Sequence, residues 1–192
     1  MQLKNTFLVL FVICLGTTVT AQKYSTINKK EITKEWEGAT FSSTITFAEN
    51  ISEVPEFEIL SKLLKNESLR LALEKEEMVT IFAFTDATLL KLSKKKRDSI
   101  LSKTKQMNAM VKYLAVPGRV DSYSLRSAIN KANGTTYLKT LDGQKLGVKE
   151  VEGQLQLFDA DKRTAIVIAS DFNHKNGFFH IIEGLIFPSA EE

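Results

Sequence analysis

The chain has 192 residues, 43% hydrophobic and 26% charged, with a formal net charge of +3 and a single cysteine. That length fits one ordinary domain of about 100–200 residues with one core. The near-balanced charge demands no nucleic-acid partner, and one cysteine excludes a disulfide framework or a cysteine-built metal centre.

Lys4 is followed by an apolar run from Phe7 to Leu15, then by Gly16-Thr17-Thr18 and the small-residue exit Val19-Thr20-Ala21. This order predicts a secretory signal over residues 1–21, cleaved after Ala21. The competing reading, a membrane anchor, needs about 20 apolar residues, and the run is too short. Cys14 sits inside the apolar run and leaves with the signal, so the mature chain is expected to have no thiolate, no disulfide and no transmembrane anchor.

Residues 22–43 are polar, with isolated apolar residues at Ile27, Ile32, Trp36 and Phe41 and no sustained period. They read as a partly ordered lead-in with room for one strand. Trp36 is a candidate surface contact, although a lone tryptophan at a domain edge more often packs onto the body.

From Pro55 to Leu73 the apolar positions Leu60, Leu63, Leu64, Leu69 and Leu73 fall at helical spacing. Pro55 suits a first turn, and Asn66-Glu67-Ser68 divides the stretch into two helices. Met78 to Phe84 is a β-branched and aromatic run that predicts a buried strand. Thr85-Asp86 then offers side-chain oxygens to cap a helix beginning near Ala87.

Lys94, Lys95, Lys96 and Arg97 head a basic cluster that continues through Lys103 and Lys105. It reads as a solvated helix-and-loop face; the functional alternative is a contact for an acidic glycan or a membrane surface. Met107, Met110, Val111 and Leu114 form the stripe of an amphipathic helix ending before Pro117-Gly118. A methionine stripe at this spacing is expected in the core, with a ligand groove as the alternative.

Beyond Asn133-Gly134 the texture becomes β. The candidate strands run from Tyr137 to Leu141, Lys145 to Val151, Gln154 to Phe158, Thr164 to Ala169 and Phe178 to Phe187. Asp142-Gly143 and Glu152-Gly153 supply hairpin turns. A helical first part followed by an antiparallel β part is an α+β fold.

Three segments, in this order, resemble the fasciclin-type (FAS1) family. Thr80 to Asp86 is similar to its first signature, a strand running into a Thr-Asp-capped helix, with Phe84 in place of the usual proline. MVKYLAVPGRV, Met110 to Val120, is similar to its central helix and Pro-Gly turn. It keeps Tyr113 but has Leu114 where many members carry histidine. Asn176 to Pro188 resembles the second signature, with Glu183 for aspartate, and Leu138 to Val151 resembles the family's hairpin.

The resemblance covers residues 44–188 and leaves 189–192 as a tail. It implies a β-wedge or sandwich of short antiparallel strands with a helical cap, secreted or in the periplasm and cell envelope of a bacterium. The implied action is adhesion to an extracellular or envelope protein or polysaccharide, without cofactor or metal. It marks Thr85, Asp86, Tyr113, Asn176, Gly177 and His180 as structural signature residues. It also places the two signatures side by side, with His180 close to Thr85 and Asp86. Leu114 withholds the partner binding attributed to the tyrosine-histidine pair of animal members.

A catalytic reading must start from His174 or His180, the only histidines. His180 alternates with apolar neighbours in a strand, and no G-x-S-x-G sequence supplies an activated serine. His174 lies in the polar run Asp171 to Asn176, read as a turn-forming loop whose D-x-N spacing lacks the glycine and glutamate of a calcium loop. Three sequons, at Asn50, Asn66 and Asn133, matter only in a eukaryotic secretory route. The expectation is therefore an adhesion or interaction module and not an enzyme; an exported small-ligand or cation carrier is the alternative, and a hydrolase the third reading.

Overall fold

The computed structural model describes residues 30–189. The signal segment 1–21, its cleavage point and the end of the tail lie outside the described residues. Among these residues no helix is long and apolar enough to cross a membrane.

Each early helix starts where a side chain satisfies free backbone N–H groups. Thr46 and Glu49 cap each other's backbone in a capping box that opens α1, Phe47–Ile51. A 3-10 turn at Pro55–Phe57 runs into α2, Glu58–Leu64. Asn66 Oδ1 then accepts the Leu69 N–H at 3.1 Å and starts α3, Glu67–Glu74. The division at Asn66 is the one the sequence marks, and Leu60, Leu64, Leu69 and Leu73 are buried as their spacing requires.

The strand β3, Val79–Phe84, is buried at every position. It leads into α4, Asp86–Leu90, then α5, Lys94–Leu101, and α6, Thr104–Tyr113. Met107, Met110, Val111 and Leu114 lie in the core, so the methionine stripe lines no groove. The short strand β4, Ala115–Pro117, and helix α7, Ser122–Lys131, complete the helical half.

The β half comprises β5, Thr135–Lys139; β6, Lys145–Val151; β7, Gln154–Phe158; β8, Thr164–His174; and β9, Gly177–Glu183. Glu152 and Gly153 both take positive φ, 52° and 78°, in the tight turn between β6 and β7. The seven strands stand in the order β4-β3-β9-β8-β7-β6-β5. All neighbours are antiparallel except β3 and β9, which are parallel because the chain crosses the helical cap and most of the sheet between them. The β half from β5 to β9 is antiparallel throughout, as expected, and the one parallel pair joins it to β3 of the helical half.

One correction concerns residues 171–174, expected in a loop and found at the end of β8. Phe172 and His174 are buried while Asp171 and Asn173 are half-buried, the period of two that a strand imposes.

Within the expected lead-in, β1, Thr33–Trp36, and β2, Ala39–Ser42, form a separate hairpin. Phe41 fixes it to the sheet. Its ring stands edge-on to Phe172 at 5.2 Å and to Phe179 at 5.1 Å, while those two stack at 5.0 Å. Burying such a ring contributes about 2–3 kcal/mol, enough to hold a ten-residue hairpin on the body. Lys34 Nζ adds a hydrogen bond to the Ser170 carbonyl at 2.6 Å.

Candidate functional site

The two signature segments do lie side by side: Val79 is level with Gly177, Phe82 with His180 and Phe84 with Ile182. At Gly177 a Cβ would sit 1.8 Å from the Val79 carbonyl oxygen, so only glycine allows this approach. Asn176 Nδ2 donates to the Leu73 and Glu76 carbonyls at 3.2 and 3.0 Å, tying the end of α3 to the start of β9. Tyr113 is buried and donates to the Lys145 carbonyl at 3.1 Å. Burial, with Asp159 and Asp142 nearby, pushes its phenol up to about 12, so it remains a donor at any physiological pH.

His180 departs from expectation. It bonds neither Thr85 nor Asp86, because continuing the parallel register puts Thr85 level with Glu183. Its Nε2 donates to the Val120 carbonyl at 2.8 Å, and its Nδ1 accepts the Asp171 N–H at 3.3 Å. That fixes one neutral tautomer. Asp171 reaches His180 because β8 bulges there, with Asp171 at φ 62°. Its carboxylate in turn accepts the Ser122 N–H at 2.7 Å and the Ser122 hydroxyl at 2.5 Å.

Ser122, Asp171 and His180 are the residue types of a hydrolytic triad in the wrong order. A triad needs the imidazole between serine and carboxylate. Here the carboxylate stands between them, and His180 Nε2, the atom that would take the serine proton, is committed to a carbonyl. Asp121 caps α7, and the group locks the first residue of that helix to the sheet.

His174 is likewise internal, its Nε2 placed 3.2 Å from the Val79 carbonyl and 3.1 Å from that of Phe178. Burial outweighs these bonds and lowers its pKa to about 4. Among the described residues no cluster of histidine, cysteine, aspartate and glutamate is arranged to hold a metal ion.

The other end of the same two strands is open. Where β3 passes into α4, and β9 reaches Glu183, a cleft of about 380 Å³ forms against the hairpin turn. Trp36 and Glu37 wall it from the hairpin side, with the Trp36 ring set 5.8 Å from the buried Phe57 ring. Thr85, Asp86 and Leu90 face it from α4. Ile168 enters from β8 at the first of the strand's two bulges, where the register slips between Val167 and Ala169. Leu90 is 61% exposed and Ile168 43%. Two large aliphatic side chains thus meet solvent beside a partly buried indole.

Thr85 is buried and stands at the N-cap of α4 without a side-chain hydrogen bond to it. Asp86 caps α2 instead of its own helix, accepting the Ile59 N–H at 3.1 Å. Burial raises the Asp86 pKa; the Ile59 bond opposes this, and Glu58 and Glu56 raise it further. Lys91 pairs with Glu183 at the rim.

The structure brings Trp36, Thr85 and Asp86 together and leaves the basic cluster apart. Lys94, Lys95, Lys96 and Arg97 open α5, which buries none of its residues, and none of the four lines the cleft. Sequence reasoning missed Glu37, Leu90 and Ile168 as residues of this cleft. For Ile168 a signal existed: Ala165 to Ile168 is an unbroken apolar run in a strand, where a sheet with one wet face would alternate.

The Fasciclin domain family matches residues 55–188. The cleft is therefore built from both matched residues and the hairpin that precedes them. No curated protein matches the chain. Among solved structures, the FAS1 domain pair of the insect cell adhesion molecule fasciclin I superposes with a TM-score of 0.61 at 12% identity, covering 84% of this chain and 67% of that one. At that identity the likeness shows the fold alone, a wedge of strands with a helical cap. Because the matched residues span well over half of it, the chain belongs to the fasciclin (FAS1) domain family, a family of adhesion and interaction modules.

Proposed function

We propose that the chain, exported by its N-terminal signal and cleaved after Ala21, works in the extracellular or envelope space as a non-catalytic module that holds a protein partner in the Trp36 cleft. One observation carries this reading: Leu90 and Ile168 stand exposed beside Trp36, where burial against a second surface is the available way to remove them from water. The two histidines that could have served chemistry are enclosed in the body, His180 bonded through both ring nitrogens and His174 through Nε2. A polysaccharide partner is the competing outcome. No observation favours a carrier, since Met107 and Met110 of the methionine stripe are core and residues 171–174 are strand.

The test is photo-crosslinking in the native host, with a benzophenone amino acid placed at position 90, 168 or 123. Tyr123 is exposed and lies off the cleft. Protein adducts are expected from positions 90 and 168 and not from 123. Adducts from all three positions equally, or from none, or a carbohydrate adduct in place of a protein, overturn the reading.

A further inference from the structure

The charge lining the cleft is of one sign. Glu37, Glu56, Asp86 and Glu183 line it and no basic side chain does; of the cations at its edge, Lys91 is paired to Glu183 and Lys62, which acts on Asp86, to Glu58. Asp86 feels Glu56 of this lining, and more strongly Glu58 just outside it. Its carboxyl is raised first by burial and then by Glu58 and Glu56, with only the Ile59 N–H and Lys62 opposing. Set among the carboxylates are the flat indole of Trp36 and the aliphatic surfaces of Pro55, Leu90 and Ile168.

Such a surface matches one kind of side chain. Carboxylates in a partly dry cleft attract a cation, an indole face attracts it through the ring quadrupole, and aliphatic walls take the methylene stem that carries it. An acidic glycan is repelled. A neutral sugar gains the stacking but leaves the carboxylates without a counter-charge. We propose that the cleft reads a lysine or arginine side chain, next to an apolar residue, on an exposed segment of the partner protein. This rests on the reading that the cleft is the contact surface, and it names what that surface selects.

Trp36 is the only tryptophan, so intrinsic fluorescence reports on the cleft directly. The probes are acetyl-Leu-Lys-Leu-amide and the same peptide with norleucine or glutamate at the centre. Norleucine keeps the four-carbon stem and loses only the ammonium. The lysine peptide is expected to shift Trp36 emission with a Kd about tenfold below that of the norleucine peptide, with the gap narrowing as salt is raised. The glutamate peptide should give no response. The double variant Glu37→Gln, Glu56→Gln should shrink the preference to about threefold or less with an unchanged melting midpoint.

Norleucine binding as tightly as lysine, a preference untouched by the double variant, or no response to the lysine peptide at millimolar concentration each overturns the inference. Those failures leave crosslinking from positions 90 and 168 intact. Loss of that crosslinking would sink the cleft reading itself, so the two can be told apart.

Discussion

The strand β8 carries two bulges, and they face opposite ways. At Asp171 the extra residue turns inward: its N–H meets His180, its carboxylate meets Ser122, and α7 is locked to the sheet. At Ile168 the extra residue turns outward and sets an aliphatic side chain against solvent in a carboxylate-lined cleft. A bulge re-aims a side chain in either case; what differs is whether the re-aimed group finds a partner within the chain. Hydrogen-bond and burial accounting, more than residue type, separates structure from contact. Asp171 and His180 are polar and closed, while Leu90 and Ile168 are apolar and open.

The closed region breaks most completely at Gly177. Gly177→Ala forces a Cβ to within van der Waals radii of the Val79 carbonyl, a backbone atom that no rotamer change can move. Separating β3 from β9 there should cost about 3 kcal/mol or more and lower the melting midpoint by about 10 °C. An unchanged midpoint would show that the two strands have slack and that the closed region is not closed.

Acid probes the same region more gently. The folded chain keeps His174 neutral down to about 4, chiefly because it is buried, and burial likewise lowers the pKa of His180. The unfolded chain takes up those protons near pH 6.5. Stability is therefore complete above pH 6.5 and declines as pH falls toward 4, because the unfolded state binds more protons. His174 alone accounts for about 3 kcal/mol over that range. Asp171 acts lower still. Burial alone would raise its carboxyl, but the two Ser122 bonds are the main causes that outweigh burial and lower it, so its share is lost as pH falls below the unfolded carboxylate value. Urea midpoints at pH 7, 5.5 and 4 measure the slope. A flat profile between 6.5 and 4 would mean that the histidines are not held neutral.

These two regions were unequally legible in the sequence. Strands such as Val79–Phe84 and the Glu152-Gly153 hairpin come from local pattern, and the match of signature segments correctly anticipates that β3 and β9 adjoin. The partners of His180 do not follow from local pattern. They depend on Asp171 taking φ 62° at a bulge, which no residue preference marks strongly for aspartate. Counting histidine as polar makes residues 171–176 look like a loop, although Phe172 and His174 alternate with Asp171 and Asn173 as a half-buried strand should. The cleft was legible only in pieces. Trp36, Thr85 and Asp86 stand out singly and the apolar run around Ile168 hints at a second covered face, but nothing local marks Leu90, whose exposure depends on where α4 ends.

The gentlest perturbation is the one that separates the two regions most sharply. Leu90→Ser combined with Ile168→Ser removes apolar surface from the cleft without changing its charge. Leu90 ends the five-residue helix α4 and Ile168 lies outside the regular ladder, so neither side chain fills a void that would be left behind. The cost to folding should stay within about 1 kcal/mol, a shift of a few degrees at most. The loss of the aliphatic walls should weaken the lysine peptide about fivefold, since only part of its stem is then shielded from water. A large drop in stability would place these two side chains with Phe41 and Phe179 in the core, and the depression beside Trp36 would then be a dent in a packed surface. Weak destabilisation with weakened binding is what a surface kept open for a partner requires.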